Sequence, residues 1–225
     1  MRDDDMSWDE DVRLAVYHAF ADRGRAPSAP ELADAAGGSL AVAKQALHRL
    51  ADAHHLVLDE CEHVALAHPF AATPLEFSVM GERTLWWGGC AWDSFAIPHL
   101  VPAEPEVLVA TRCPGCGEPH ALLVNRAEPP RGTLVAHFLV PAARMWDDVL
   151  HTCGNQRLFC DESCVDTWLK ESGNAKGYVM DLGTLWRLAQ GWYAGRLERG
   201  YRRREPSSAV AYFAEAGLTG HFWGS

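Results

Sequence analysis

Apolar positions in residues 8–22 fall at Trp8, Val12, Ala15, Val16, Ala19 and Phe20, the spacing of one face of a helix. Ser28 is placed to cap a second helix that starts at Pro30, with Leu32, Ala33 and Ala36 inward and Gly37-Gly38 ending it. Ser39 caps a third helix, whose inner face is Leu40, Ala43, Leu47 and Leu50. His55-Leu56-Val57-Leu58 and His63-Val64-Ala65-Leu66 then pattern as a two-stranded hairpin. Three helices and a hairpin predict a winged-helix-like domain over residues 1–75.

After a Pro-containing stretch from Pro69 to Pro74 the pattern changes to short strands, at Phe77-Val79, Thr84-Trp87, Val107-Ala110, Ala121-Val124 and Leu134-Val140. Helices are expected at 144–151, 162–172, 181–199 and 206–217. The predicted class is α+β: an N-terminal winged-helix-like helical domain, followed over 76–225 by an antiparallel-sheet domain flanked by helices. No internal repeat is visible, and Arg202-Arg203-Arg204 is expected to be a solvated basic face.

Charge narrows the function of the first domain. A winged helix binds duplex DNA through its third helix, and phosphate neutralisation supplies most of the affinity. Residues 1–75 hold six Lys/Arg against thirteen Asp/Glu, and the third helix offers only Lys44 and Arg49. The whole chain of 225 residues has a formal net charge of −10. The domain is therefore expected to pack or dimerise, with no nucleic-acid partner and no anionic membrane surface. No apolar run is long enough to span a bilayer, and the acidic start MRDDDMSWDEDV lacks the apolar core of a secretory signal, so a cytoplasmic location is expected.

In a reducing compartment seven cysteines are ligands, nucleophiles or core residues rather than disulfides, and their odd number fits a closed disulfide framework poorly. Cys113-Pro114-Gly115-Cys116 forms a knuckle that aims two sulfurs at one point, and Cys160 and Cys164 follow at a strand-to-helix junction. With 43 residues between the pairs, the arrangement resembles a treble-clef zinc finger split by an insertion. A structural zinc held by Cys113, Cys116, Cys160 and Cys164 is the expectation, with His120 as a fallback ligand and isolated core cysteines as the plainer reading. Cys61 is expected to pack within the hairpin.

The densest chemistry lies in Trp86-Trp87-Gly88-Gly89-Cys90-Ala91-Trp92-Asp93, followed by Ile97-Pro98. On a helical turn Cys90 and Asp93, three residues apart, share a face. A soft thiolate beside a carboxyl walled by tryptophan suits cleavage of a bond to a soft metal. The plainer alternative is a buried cysteine next to a helix-capping aspartate. Here the chain resembles the organomercurial (alkylmercury) lyases, in which a Trp-Cys-Ala-Leu-Asp stretch runs into an apolar residue and proline. That family also has a winged-helix-like N-terminal domain and a second catalytic cysteine ahead of an aromatic strand and a helix containing Asp-Trp. Cys153 takes the second-cysteine place, before Leu158-Phe159 and Asp166-Thr167-Trp168, and the layout matches over residues 10–195. Two departures stand out: Gly88-Gly89 replaces an aromatic, and Gly154 follows Cys153 where the family often has a second cysteine.

The resemblance implies carbon–mercury protonolysis by Cys90, Asp93 and Cys153. Mercury is held by Cys90 and Cys153, the partner is a small organometal, and no catalytic cofactor is needed. Two rivals remain at this point: a non-catalytic zinc- or soft-metal-binding or metal-sensing protein, and a lyase-fold enzyme recruited to another substrate.

Overall fold

A computed structural model of the chain describes residues 3–204 and 206–224. The first helix, α1 (Asp3–Arg23), buries Val12, Val16 and Phe20 completely, as the four-residue spacing requires. Helix α2 (Ala29–Ala36) opens with a full capping box: Ser28 accepts from the Glu31 amide while the Glu31 carboxylate accepts from the Ser28 amide. Ser39 caps α3 (Leu40–Asp52), which buries Ala43, Ala46, Leu47 and Leu50. The two cations of α3 are already engaged, Lys44 with Glu62 at 3.1 Å and Arg49 with Asp9 at 2.6 Å.

The expected hairpin forms from β1 (Val57–Leu58) and β2 (Val64–Ala67), and it does not stand apart. Through the two-residue β3 (Phe70–Ala71) it joins β4 (Phe77–Met80), β5 (Leu85–Gly88), β6 (Glu106–Arg112) and β7 (Pro119–Asn125). The result is one antiparallel seven-stranded sheet in the order β1-β2-β3-β5-β4-β6-β7. The sheet thus runs across residue 75, and the main hydrophobic core extends across it, from Val12 of α1 to Trp223. The Trp86 indole N–H donates to the Phe20 carbonyl at 2.7 Å and pins β5 to α1. Cys61 lies in the β1–β2 turn and is exposed, correcting the expectation that it packs; its amide bonds the Asp59 carboxylate at 2.8 Å, so the turn is closed by polar contacts instead.

After β5 the chain enters α4 (Ala91–Leu100), in which every residue except His99 is buried. A helix buried all round is a central element, and α4 lies between the large sheet and α7 (Leu182–Trp192). A second, three-stranded antiparallel sheet has the order β10 (Tyr178–Asp181), β8 (Val135–Phe138), β9 (Gln156–Phe159). The helix expected at 144–151 is instead a short 3-10 turn (Ala142–Arg144) followed by α5 (Val149–Gly154). Asp148 caps α5 by accepting from the His151 amide at 2.9 Å, which fixes the helix start beyond it. Helices α6 (Glu162–Ser172) and α8 (Pro206–Glu215) follow as expected, whereas the helix expected to run to 199 stops at Trp192. Among the described residues no helix is long and apolar enough to cross a membrane.

Candidate active site

The turn from β5 into α4 builds the centre of the site. Cys90 is the N-cap of α4, in an extended conformation, and Asp93 is its third helical residue. Capping geometry therefore brings them together: the Asp93 amide donates to Cys90 Sγ at 3.4 Å, and the Cys90 thiol donates to Asp93 Oδ2 at 3.3 Å. Gly89 is required here by close approach, because a Cβ on residue 89 would stand 2.3 Å from Asp93 Oδ2. The Gly89 amide is tied to the Pro69 carbonyl at 3.3 Å, which brings the segment before β3 alongside Cys90.

Cys153, in the last turn of α5, reaches the same point. Its sulfur lies 3.3 Å from His68 Nε2 and lines the same cavity as Cys90. His68 Nε2 is also 4.0 Å from Asp93 Oδ2. The other carboxylate oxygen, Oδ1, accepts from the Tyr193 hydroxyl. Arg196, buried, donates to the His68 carbonyl at 2.7 Å and to the Tyr17 hydroxyl at 2.9 Å, and its guanidinium lies 4.5 Å from the centre of the Tyr193 ring. Cys90, Asp93 and Cys153 are each at most 4% exposed and line a cavity of about 90 Å³. Trp92, Met145, Trp146, Val149 and Trp192 supply its apolar walls, and Arg203 and Arg204 also line it.

The environment separates the two thiols. Cys153 is drawn down to about 7, chiefly by the hydrogen bond from Cys90, with burial opposing and His68 assisting. Cys90 is pushed well up by burial, by its hydrogen bond to Cys153 and by the neighbouring Asp93. Burial works against a charged His68, yet Asp93 and Cys153 outweigh it and raise its pKa. Tyr193 is pushed well above its ordinary value by burial and Asp93, which keeps its hydroxyl proton in place as a donor. Near neutral pH the pocket holds one sulfur poised to ionise, one that keeps its proton, and a carboxyl in contact with that proton.

All three residues expected to carry chemistry thus converge in one pocket. The other four cysteines, Cys113, Cys116, Cys160 and Cys164, gather separately, their sulfurs all within 4.8 Å of one another. His120 Nε2 is 3.5 Å from Cys160 Sγ, at the edge of that group. Sequence reasoning missed His68, Tyr193 and Arg196. None sits in a motif, and each reaches the site from a distant stretch of chain.

The alkylmercury lyase (MerB) family profile matches residues 70–194, more than half of the chain, and its span includes Cys90, Asp93 and Cys153. The chain belongs to the alkylmercury lyase family. A crystal structure described as the mercury-bound form of MerB2 has the same fold, with a TM-score of 0.62 and 16% identity, covering 81% of this chain and 88% of that one. No curated protein sequence matches the chain. In this alkylmercury lyase family member, where glycine replaces the aromatic before the first cysteine, the Asp93 carboxylate occupies the space a Cβ on residue 89 would need.

Proposed function

We propose that this protein cleaves the carbon–mercury bond of small organomercurials by protonolysis, with Cys90, Asp93 and Cys153 as the reacting groups. The observation that carries the proposal is the convergence of two chemically distinct thiols and one carboxyl in a single buried cavity. Cys153 acts first. As a thiolate, it captures the soft metal of R–Hg–X and expels X⁻. Cys90 then binds the same mercury as its proton passes to Asp93 Oδ2, across the 3.3 Å contact between them. Two sulfurs on mercury load electron density onto the bound carbon. Asp93 returns the proton to that carbon and R–H leaves, so the carbon–mercury bond breaks as a carbon–hydrogen bond forms. Hg(II) remains on the two sulfurs until external thiols remove it.

The residues around the triad have positioning roles in this scheme. Tyr193 fixes Oδ1 and leaves Oδ2 free to face Cys90, while His68 favours the Cys153 thiolate. A hydrolase-type Cys-His-Asp relay fits the geometry poorly. In such a relay the carboxylate binds the ring nitrogen opposite the nucleophile. Here Asp93 and Cys153 both face Nε2, and buried Nδ1 has no partner among the described residues.

The test is a comparison of wild type with Asp93→Ala, incubated with a phenylmercury salt and free thiol, with benzene measured by gas chromatography. The scheme expects Asp93→Ala to bind the mercurial through both thiols yet release no benzene. Benzene release from Asp93→Ala at the wild-type rate would refute the role given to the carboxyl.

A further inference from the structure

Five of the seven cysteines take no part in the active-site cavity, and four of these, Cys113, Cys116, Cys160 and Cys164, form a second group. Cys113 and Cys116 lie at the turn joining β6 to β7, which is closed by the Cys113 amide on the Glu118 carbonyl at 2.9 Å and the Gly117 amide on the Cys113 carbonyl at 2.8 Å. Cys160 follows the last residue of β9, and Cys164 sits in the first turn of α6, its amide bonded to the capping Asp161 at 2.9 Å. The two segments are pressed together at Gly115, where a Cβ would lie 2.2 Å from the Cys164 carbonyl oxygen. Only glycine allows that approach, and the approach brings the four sulfurs into one group.

The spacing of that group fits a metal and not a disulfide. Cys116 and Cys160, 44 residues apart in sequence, have sulfurs 3.4 Å from each other, and all four sulfurs lie within 4.8 Å. A disulfide needs about 2.0 Å. A tetrahedral zinc with bonds of about 2.3 Å sets its sulfurs about 3.8 Å apart. The core beneath is small: among the described residues its buried members are Cys113, Phe159, Val165 and Leu169. So few apolar side chains order a segment weakly, and a metal is a common supplement to so small a core.

We propose that Cys113, Cys116, Cys160 and Cys164 hold one zinc ion in a closed four-sulfur site that clamps the β6–β7 turn to the β9–α6 junction. The site is structural, because four protein ligands leave no open position for substrate. It also anchors the far end of β9, the strand that leaves α5 just after Cys153. The proposal does not rest on the lyase reading and stands whatever the active-site cavity does.

The test uses the full chain purified from cells under reducing conditions, without added metal. Metal analysis is expected to find about one zinc per chain. After exchange, cobalt(II) is expected to give sulfur-to-cobalt charge-transfer absorption and intense tetrahedral bands. Cys116→Ser and Cys164→Ser are expected to lose the zinc and melt at lower temperature. The wild-type cobalt spectrum decides the matter even if those variants fail to fold. Three results would overturn the proposal: a folded wild type that neither contains nor takes up zinc, iron in its place, or zinc retained at full stoichiometry in both variants. The last would assign the ion to the other close set of ligand atoms, on His68, Asp93 and Cys153.

Discussion

Gly89→Ala tests the packing argument at the centre of the site. The new methyl carbon would stand 2.3 Å from Asp93 Oδ2, and side-chain carbons essentially never come closer than 3.0 Å, so the oxygen has to retreat by at least 0.7 Å (3.0 − 2.3). It cannot simply rotate away, because Oδ1 is held by Tyr193 and Oδ2 by the Cys90 thiol. Overpacking of this kind costs about 1–3 kcal/mol of stability. Displacing a reacting group by about 1 Å costs on the order of 10²-fold in rate. The expected variant is folded, melts a few degrees lower, still binds a mercurial through two intact thiols, and releases benzene about a hundredfold more slowly. Three measurements check it: a thermal melt, the stoichiometry of bound mercurial, and benzene by gas chromatography. A folded Gly89→Ala protein that works at the wild-type rate would refute both the explanation for glycine at this position and the placement of Asp93 as proton donor.

The two cysteines that flank β9 are expected to respond differently to serine. Cys153→Ser abolishes turnover while the fold persists, since oxygen is too hard a ligand for mercury; Cys160→Ser lowers the melting temperature and affects turnover only through stability. An inactive but normally stable Cys160→Ser, beside an active Cys153→Ser, would show that the second thiol has been assigned wrongly. The Cys153 thiol, drawn down to about 7, is protonated below that pH and ionised above it, so the rate of mercurial capture is expected to rise through pH 7 and level off above. His68→Ala removes one of the groups that lower it and is expected to move this midpoint upward; capture rates with an unchanged midpoint would remove His68 from the account.

Features set by local chemistry were legible in the sequence. The Ser28–Glu31 capping box, the 162–172 helix and the nearness of Cys90 to Asp93, reached through an N-cap and not along a helical face, each depend on residues within a turn or two of one another. What was not legible depends on distant partners. Tyr193 meets Asp93 a hundred residues away and Arg196 meets His68 across 128, and no periodicity encodes either contact. The helix expected to run to 199 hid both residues, because its early stop at Trp192 is what frees them to reach the site. The merging of the hairpin into the large sheet escaped notice for a related reason. Its link, β3, is two residues long and carries no alternation to detect. Strand β10, four residues at the edge of the small sheet, gave an equally weak pattern. The knuckle cysteines were visible as pairs, but the pairing of the pairs depends on the contact at Gly115.

The most direct test of carbon–mercury protonolysis is a single turnover in D₂O: wild-type protein in excess over phenylmercury, without free thiol, with the released hydrocarbon analysed by mass spectrometry and the mercury located on the protein. The account predicts monodeuterated benzene, close to one per phenylmercury added, with Hg(II) left on Cys90 and Cys153. Recovery of intact phenylmercury from a folded protein whose thiols have bound it would contradict the account and leave a soft-metal binder in place of a lyase.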